Sequence, residues 1–326
     1  MKVGVVIPCI NLWERYTIPA INSLKSEQNE LYVVVVDNGS TDITQQAARA
    51  LISPTFGYIR NNTNLGCPTA WNQGTKKCIE EGCDYVLIIN NDVLLHPEAI
   101  DRLVGKFEKS KEHIIGIKPR EYGVWAEEWN DLSESAGYTK TTEFERTAII
   151  TMINVRGDCK DIPNNIFTLD PNAYVDTAEE EYPDFSGFML SKNAYATIGE
   201  FDEGFSPAYF EDNDYHRRLK LVGLVAIKHP PALFYHYGSA TRNESGTITV
   251  TDWSFVNSRA YFEAKWGGAP ENDGSLGTRL HTRPFNDTKK SLQWNLQNRC
   301  KTGTCKCDVN CDKIYNWNKT KLSRFS

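Results

Sequence analysis

The sequence predicts an α/β protein built on a mostly parallel, doubly wound sheet, and three features carry that expectation. Short apolar, β-branched runs alternate with segments of helical periodicity through the first 118 residues. The runs are nearly continuous rather than alternating, as strands covered on both faces require. They also end in polar clusters, at the edge where open sheets of this kind hold their ligands.

The elements follow in order. "KVGVVIP" (2–8) reads as the first strand, and "WERYTIPAINSLKS" (13–26) as the helix after it. "LYVVVVD" (31–37) is the second strand, followed by a helix in "TDITQQAARALI" (41–52) capped by Ser40 or Thr41. "GYIR" (57–60) is a short third strand. The helix "PTAWNQGTKKCIEEG" (68–82) has Pro68 in its first turn and Gly82 at its end, the positions those residues favour. "DYVLII" (84–89), "PEAIDRLVGKFEKS" (97–110) and "IIGIKP" (114–119) complete five strands alternating with four helices.

The strand ends are "PCIN" (8–11), "DNGSTD" (37–42), "NNTNLG" (61–66) and "NND" (90–92). Turn propensity alone explains any one of them, because Asn and Asp side chains bond to the nearby backbone. Four along one sheet edge point to a ligand crevice. The turn after the first strand lacks the GxGxxG glycines of a dinucleotide site, and no GxxxxGK[ST] loop occurs, which disfavours a P-loop nucleotidase.

With 326 residues, 40% hydrophobic and 24% charged, the chain can bury a large core in one domain or two. No apolar stretch reaches the roughly 20 residues of a membrane-spanning helix, and "MKVGVVIPCIN" runs straight into a strand pattern, so a cytoplasmic protein is expected. Nine cysteines without an export signal read as thiols or metal ligands rather than disulfides. The net charge of −6 is unevenly spread: residues 279–326 carry eleven Lys and Arg against three Asp, a net of +8, leaving −14 elsewhere. That break places a boundary near residue 270, separating a domain of residues 1–270 from a basic, Cys-containing extension of residues 271–326.

Quoted in order, "VGVVIPCIN", "VVVVDNGSTD", "NLGCPTAWNQG", "YVLIINNDVLLHP", "FSGFMLSKNAYATIGEFDEGFSPAYFEDNDYHRRLKLVG" and "HYGSAT" resemble the successive signatures of the inverting family 2 glycosyltransferases, a GT-A fold, and their rhamnosyltransferase-like branch in particular. The resemblance covers residues 3–118, a nucleotide-binding half, and 184–241, within a catalytic half of residues 184–270. Residues 119–183, rich in Trp, Tyr and acids, fall between them and read as a variable acceptor-side segment, with aromatic rings for sugar faces or for plain core.

The resemblance implies a hexosyltransferase that uses a nucleoside diphosphate sugar (UDP, GDP or dTDP) and a hydroxyl acceptor such as a glycan, glycolipid or modified nucleic acid. By it, Pro8, Ile10 and Asn11 lie along the nucleobase, Asp37 bonds the base or ribose, and Asn64, Gly66, Asn91 and Gly187 line the same pocket. "NND" stands where the family carries its DxD motif: Asp92 takes the metal-ligand position for Mn²⁺ or Mg²⁺, His236 is the other protein ligand, and Asn90 replaces the first acid and touches the ribose. One carboxylate suffices where phosphate oxygens complete the shell. Asp212 is implied as the base, with Glu211 assisting, at the start of a helix where Asp214 reads as a dipole-favoured cap. A sugar nucleotidyltransferase would need a Gly-rich, Arg-containing loop in place of "PCINLWER", and a non-catalytic sugar-binding protein would not need the Glu-Asp pair.

In the tail, Cys300, Cys305, Cys307 and Cys311 lie within twelve residues. Four thiolates suit a structural Zn²⁺, but the spacing is not that of a known finger, and free or oxidised thiols are the alternative. The basic charge with Trp294, Tyr315 and Trp317 suits an anionic acceptor or peripheral contact with an anionic surface; a plain solvated extension is the other reading.

Overall fold

Strand β1 (Lys2–Cys9) sends alternate side chains to opposite layers: Val3, Val5 and Ile7 enter one core cluster, Val6 the other, all with no exposed surface. Its neighbours repeat the pattern. In β2 (Glu30–Asp37), Val33 and Val35 join the first cluster, and Val34 and Val36 the second. Leu87 and Ile89 of β4 (Tyr85–Ile89) face the first cluster, and Val86 and Ile88 the second. Each such side chain contributes about 1.5–3 kcal/mol by leaving water, and a sheet apolar on both faces needs helices on both.

Those helices are α1 (Ile18–Ser23) and α4 (Ala99–Glu112), with Leu103 and Phe107 buried in the first cluster, and α3 (Cys67–Glu80), with Ala70, Trp71 and Cys78 buried in the second. α3 lies so close to β1 that a Cβ on Gly74 would stand 2.3 Å from Val6 Cγ1. α2 (Thr44–Ala50) precedes the edge strand β3 (Phe56–Arg60). The predicted first helix is divided: Trp13–Thr17 forms a π-turn, and α1 follows it.

The computed structural model describes residues 1–112, 147–155, 166–173, 185–221, 225–238 and 252–266. They form one sheet of eight strands in the order β3-β2-β1-β4-β7-β6-β8-β5, completed by β5 (Val93–Leu95), β6 (Thr147–Val155), β7 (Gly187–Ser191) and β8 (Val225–His236). The four strands β3-β2-β1-β4 are parallel, β7 runs against both β4 and β6, and β6 pairs parallel with β8. The α/β, mostly parallel expectation therefore holds. Two features differ from it. The three-residue β5 was hidden in "DVLLHP" because a strand that short carries no periodicity, and β6, inside residues 119–183, sits in the sheet between β7 and β8.

Helices α5 (Lys192–Ile198), α6 (Glu211–Leu221) and α7 (Asp252–Trp266) complete the described structure. The predicted strand at 114–119, the boundary near residue 270, and Cys300, Cys305, Cys307 and Cys311 lie outside the described residues. No described helix is long and apolar enough to cross a membrane.

Candidate active site

Register aligns the polar strand ends: Cys9 pairs with Asp37, Asp37 with Arg60, and Ile89 with Gly187. Side chains then tie these turns into one wall. Asn11 leaves β1 in the left-handed region (φ 55), which Asn tolerates. Its backbone N–H donates to Ser40 Oγ at 2.7 Å, and its Oδ1 accepts from the Thr41 N–H at 2.7 Å. Ser40 therefore serves the loop after β1. The predicted cap at Ser40 or Thr41 is corrected: α2 starts at Thr44 after Ile43, which offers no side-chain cap.

Asp37 ends β2 with no exposed surface. Its Oδ1 accepts from the Ser40 N–H at 2.8 Å; its Oδ2 accepts from Tyr58 Oη at 2.6 Å and pairs with Arg60, whose other arm donates to the Ser40 carbonyl at 2.9 Å. Burial, then the bond to Asp37, push the Tyr58 hydroxyl well above its ordinary value. Tyr58 and Arg60 were not among the predicted site residues, although a strand ending in a cation beside one ending in an acid is a readable signal.

The third wall is the turn "NNTNLG". Asn64 Oδ1 accepts from the Gly66 N–H at 2.9 Å, and Gly66 has φ 92, a conformation side chains resist. Segment 201–210 lies against this turn: Ser206 Oγ donates to the Leu65 carbonyl at 3.1 Å, and the Cys67 N–H to the Pro207 carbonyl at 2.8 Å. A Cβ on Gly66 would meet Ser206 Oγ at 2.7 Å and the Pro207 backbone at 3.0 Å. Buried Asn72 of α3 fixes the segment's start by two bonds to the Phe201 backbone, 2.9 and 2.8 Å. An Asn beside the buried Trp71 in "TAWNQG" is the sequence sign of that anchor.

Asn90 bonds through its N–H to the Ser186 carbonyl at 3.0 Å, beside Gly187, while Asn91 is buried with its amide donating to Thr17 Oγ1 at 3.2 Å. Ile10 is buried and Pro8 half-buried at the base of the same wall.

Asp92 and His236 meet because β5 pairs antiparallel with β8, Val93 opposite His236, and the Tyr237 N–H donates to the Asp92 carbonyl at 3.0 Å. His236 Nε2 stands 3.2 Å from Asp92 Oδ1, yet the contact lacks hydrogen-bond geometry: both ring nitrogens are buried without a hydrogen-bond partner. Orphaned buried polar atoms are costly and call for an explanation. A divalent cation fits them, since two ligand atoms about 2.1 Å from one ion and at right angles stand roughly 3 Å apart. No group of three or more His, Cys, Asp or Glu suited to a metal occurs among the described residues, so the remaining ligands would be phosphate oxygens and water.

Glu211 and Asp212 open α6, directly after Tyr209 (φ 78) and Phe210 (φ 65), two bulky residues held in the left-handed region. Such strain persists only where surroundings enforce it. Glu211 Oε2 is buried without a hydrogen-bond partner. Burial, then the charge of Asp212, push the Glu211 carboxyl well above its ordinary value, with backbone N–H groups of Glu211 and Tyr209 opposing them. The negative field of Glu211 also reaches Cys67, whose thiol burial and that charge push up to about 12. Glu211 is thus the carboxyl whose charge is felt at Cys67, the first residue of α3.

Asp214 does more than cap. It is fully buried and its carboxylate receives Arg218 at 2.9 Å, Lys265 at 2.6 Å and Trp266 Nε1 at 2.9 Å, so it anchors α7 to α6. His229 is buried in β8 and lies apart from the strand-end residues.

Residues 4–159 match the sequence profile of Glycosyl transferase family 2. The match runs past residue 118, where the first series of motifs stops, and includes β6. A galactofuranosyl glycosyltransferase of Leishmania donovani is 25% identical over 284 residues, 81% of this chain and 61% of that protein, so the chain spans less than two thirds of that relative. Among solved structures, GalNAc-T7 with UDP, GalNAc and Mn²⁺ superposes with a TM-score of 0.53 at 11% identity, covering 94% of this chain and 58% of that one. The mannosyltransferase PcManGT of Pyrobaculum calidifontis, in complex with GDP-Man and Mn²⁺, gives 0.46 at 15% identity, covering 98% and 79%. The first of these structures supports the expected fold.

Proposed function

We propose that this protein is an inverting glycosyltransferase that moves a hexosyl group from a nucleoside diphosphate sugar to an acceptor hydroxyl. The observation that carries the reading is the His236 ring, buried beside Asp92 with neither nitrogen hydrogen-bonded, on the same sheet edge as Asn11, Asp37 and Gly66. The Glycosyl transferase family 2 match and the galactofuranosyl relative support it.

In this reading the wall formed by Pro8–Asn11, Asp37 and Asn64–Gly66 receives the nucleoside, and Asn90 and Gly187 border the ribose. Asp92 and His236 hold Mn²⁺ or Mg²⁺, which supplies Lewis-acid neutralisation of the departing diphosphate. Asp212 takes the proton of the acceptor hydroxyl as that oxygen bonds to the anomeric carbon. The bond from that carbon to the diphosphate oxygen breaks on the opposite face, so the configuration inverts and no sugar is left on the enzyme. Glu211, kept protonated to higher pH than an ordinary carboxyl, orients the acceptor by donating a hydrogen bond.

The test is a panel of UDP, GDP and dTDP sugars, galactofuranosyl and rhamnosyl donors included, scored with Mn²⁺ for nucleoside diphosphate release and for the anomeric configuration of the product. Diphosphate release with inverted product supports the reading. Release of a nucleoside monophosphate, formation of a sugar nucleotide from nucleoside triphosphate, or retained configuration overturns it.

A further inference from the structure

Helix α7 lies outside residues 4–159 and carries none of the residues assigned to donor, metal or proton transfer, yet it touches the segment that delivers the carboxylate pair at every level. Ser258, with no exposed surface, donates from Oγ to the Ala208 carbonyl at 2.9 Å, immediately before the two left-handed residues. The Phe255 ring packs on Phe210 and Tyr209, centroids 4.9 and 5.2 Å apart. Tyr261 Oη donates to Asp202 at 2.9 Å and occupies the space a Cβ on Gly204 would take, 2.3 Å from its ring. Lys265 joins Asp202 of the segment to Asp214 of α6. Segment 201–210 is thus held from one side by α3 and the turn at Gly66, and from the other by α7.

A bulky residue in the left-handed region is strained, and two in succession need an external restraint. Among the described contacts, Ser258 and Phe255 bear directly on Ala208, Tyr209 and Phe210. We propose that α7 is a positioning element for proton transfer, in which Ser258 and Phe255 hold Ala208–Phe210 in the conformation that aims Glu211 and Asp212 at the acceptor. This rests on the reading of Glu211 and Asp212 as the proton-handling pair. A displacement of about 1 Å in such a group is enough for a roughly 100-fold loss of rate.

The experiment measures steady-state kinetics of the full chain, with its best donor from the panel, for Ser258→Ala, Ser258→Thr and Phe255→Ala. Ser258→Ala should lower kcat roughly 10- to 100-fold with the donor KM changed less than about twofold, and Ser258→Thr, which keeps the hydroxyl, should restore most of it. The alkaline limb of the pH profile, where Glu211 loses the proton it donates, supplies a readout that mere loss of stability would not move. Glu211 faces Asp212 on its own helix and Cys67 of α3, and burial dominates its upward shift. Loosening the segment admits water, so the limb should move to lower pH. Phe255 is 41% exposed, so its removal tests the restraint without emptying a core position; it should shift kcat and the limb in the same directions. Should Ser258→Ala fail to fold, Phe255→Ala alone decides. Wild-type kcat and pH profile in Phe255→Ala, or in a folded Ser258→Ala, overturn the proposal while leaving the proposed activity standing. Full turnover in both Asp212→Asn and Glu211→Gln overturns the proton-transfer reading itself.

Discussion

Replacing Lys265 with Met should unsettle the packing of α6 and α7 against segment 201–210, and the size follows from its neighbours. The Lys265 side chain is 5% exposed, with Nζ 2.7 Å from Asp202 Oδ2 and 2.6 Å from Asp214 Oδ1, carboxylates 17% and 0% exposed. Removing one partner of a buried ion pair costs about 3–5 kcal/mol, chiefly because the remaining charge is stranded. Asp214 retains Arg218 and Trp266, and Asp202 retains Tyr261 and the Gly204 N–H, so the lower end, about 3 kcal/mol, is expected. The sign with pH is also fixed. Burial raises the Asp202 carboxyl, but the charge of Lys265 and the hydrogen bonds outweigh it and hold it below its ordinary value. A depressed folded-state pKa contributes stability above the unfolded value of about 3.9 that is lost as pH falls through the folded value. Without Lys265, burial prevails and protonation relieves the strain. Urea midpoints for wild type and Lys265→Met should therefore differ most at neutral pH and converge near pH 3. A difference under about 1 kcal/mol at pH 7, or one independent of pH, would refute the argument.

Three further outcomes are expected. Asp212→Asn should retain donor binding while turnover falls by roughly 10²- to 10⁴-fold, measured as nucleoside diphosphate release; unchanged turnover in a folded variant removes Asp212 from the mechanism. The Glu211→Gln variant should lose any rate inflection lying above the ordinary carboxylate range of about 4.3, since burial and Asp212 raise Glu211; a pH profile identical to wild type would exclude its participation. Gly66→Ala places a Cβ 2.7 Å from Ser206 Oγ at φ 92, so a melting-temperature loss equivalent to about 1–3 kcal/mol and weaker donor binding should appear together; a neutral substitution would mean that segment 201–210 moves freely over the turn.

The first four strands were legible because burial on both faces leaves long β-branched runs, and in a parallel sheet sequence order and polar strand ends suffice to place a crevice. β5 was not legible: three residues, Val93–Leu95, have no period, and only the pairing of Val93 with His236 explains why Asp92 and His236, distant in sequence, adjoin. The buried anchoring role of Asp214 was hidden for a similar reason. In one dimension Asp214 is an acid at a helix start, and its role appears only when α7 brings a cation and an indole from more than fifty residues away. Asp37 was legible as a strand-end acid and Arg60 as the cation ending the next strand, but the bond from Tyr58 depends on the β2–β3 register, which sequence alone does not fix. Asn11 bonding to Ser40 likewise reassigns a helix cap through a tertiary contact.

The pairing of Asp92 with His236 as a cation site for a diphosphate is tested most directly by the electron paramagnetic resonance signal of Mn²⁺ titrated with the full chain in the presence of UDP or GDP. The free-ion signal should fall as the protein and nucleotide are added together, and His236→Ala and Asp92→Ala should each restore most of it while leaving the melting profile folded. An undiminished free-ion signal with the wild-type chain and either nucleotide, or full Mn²⁺ capture by both variants, would contradict the assignment.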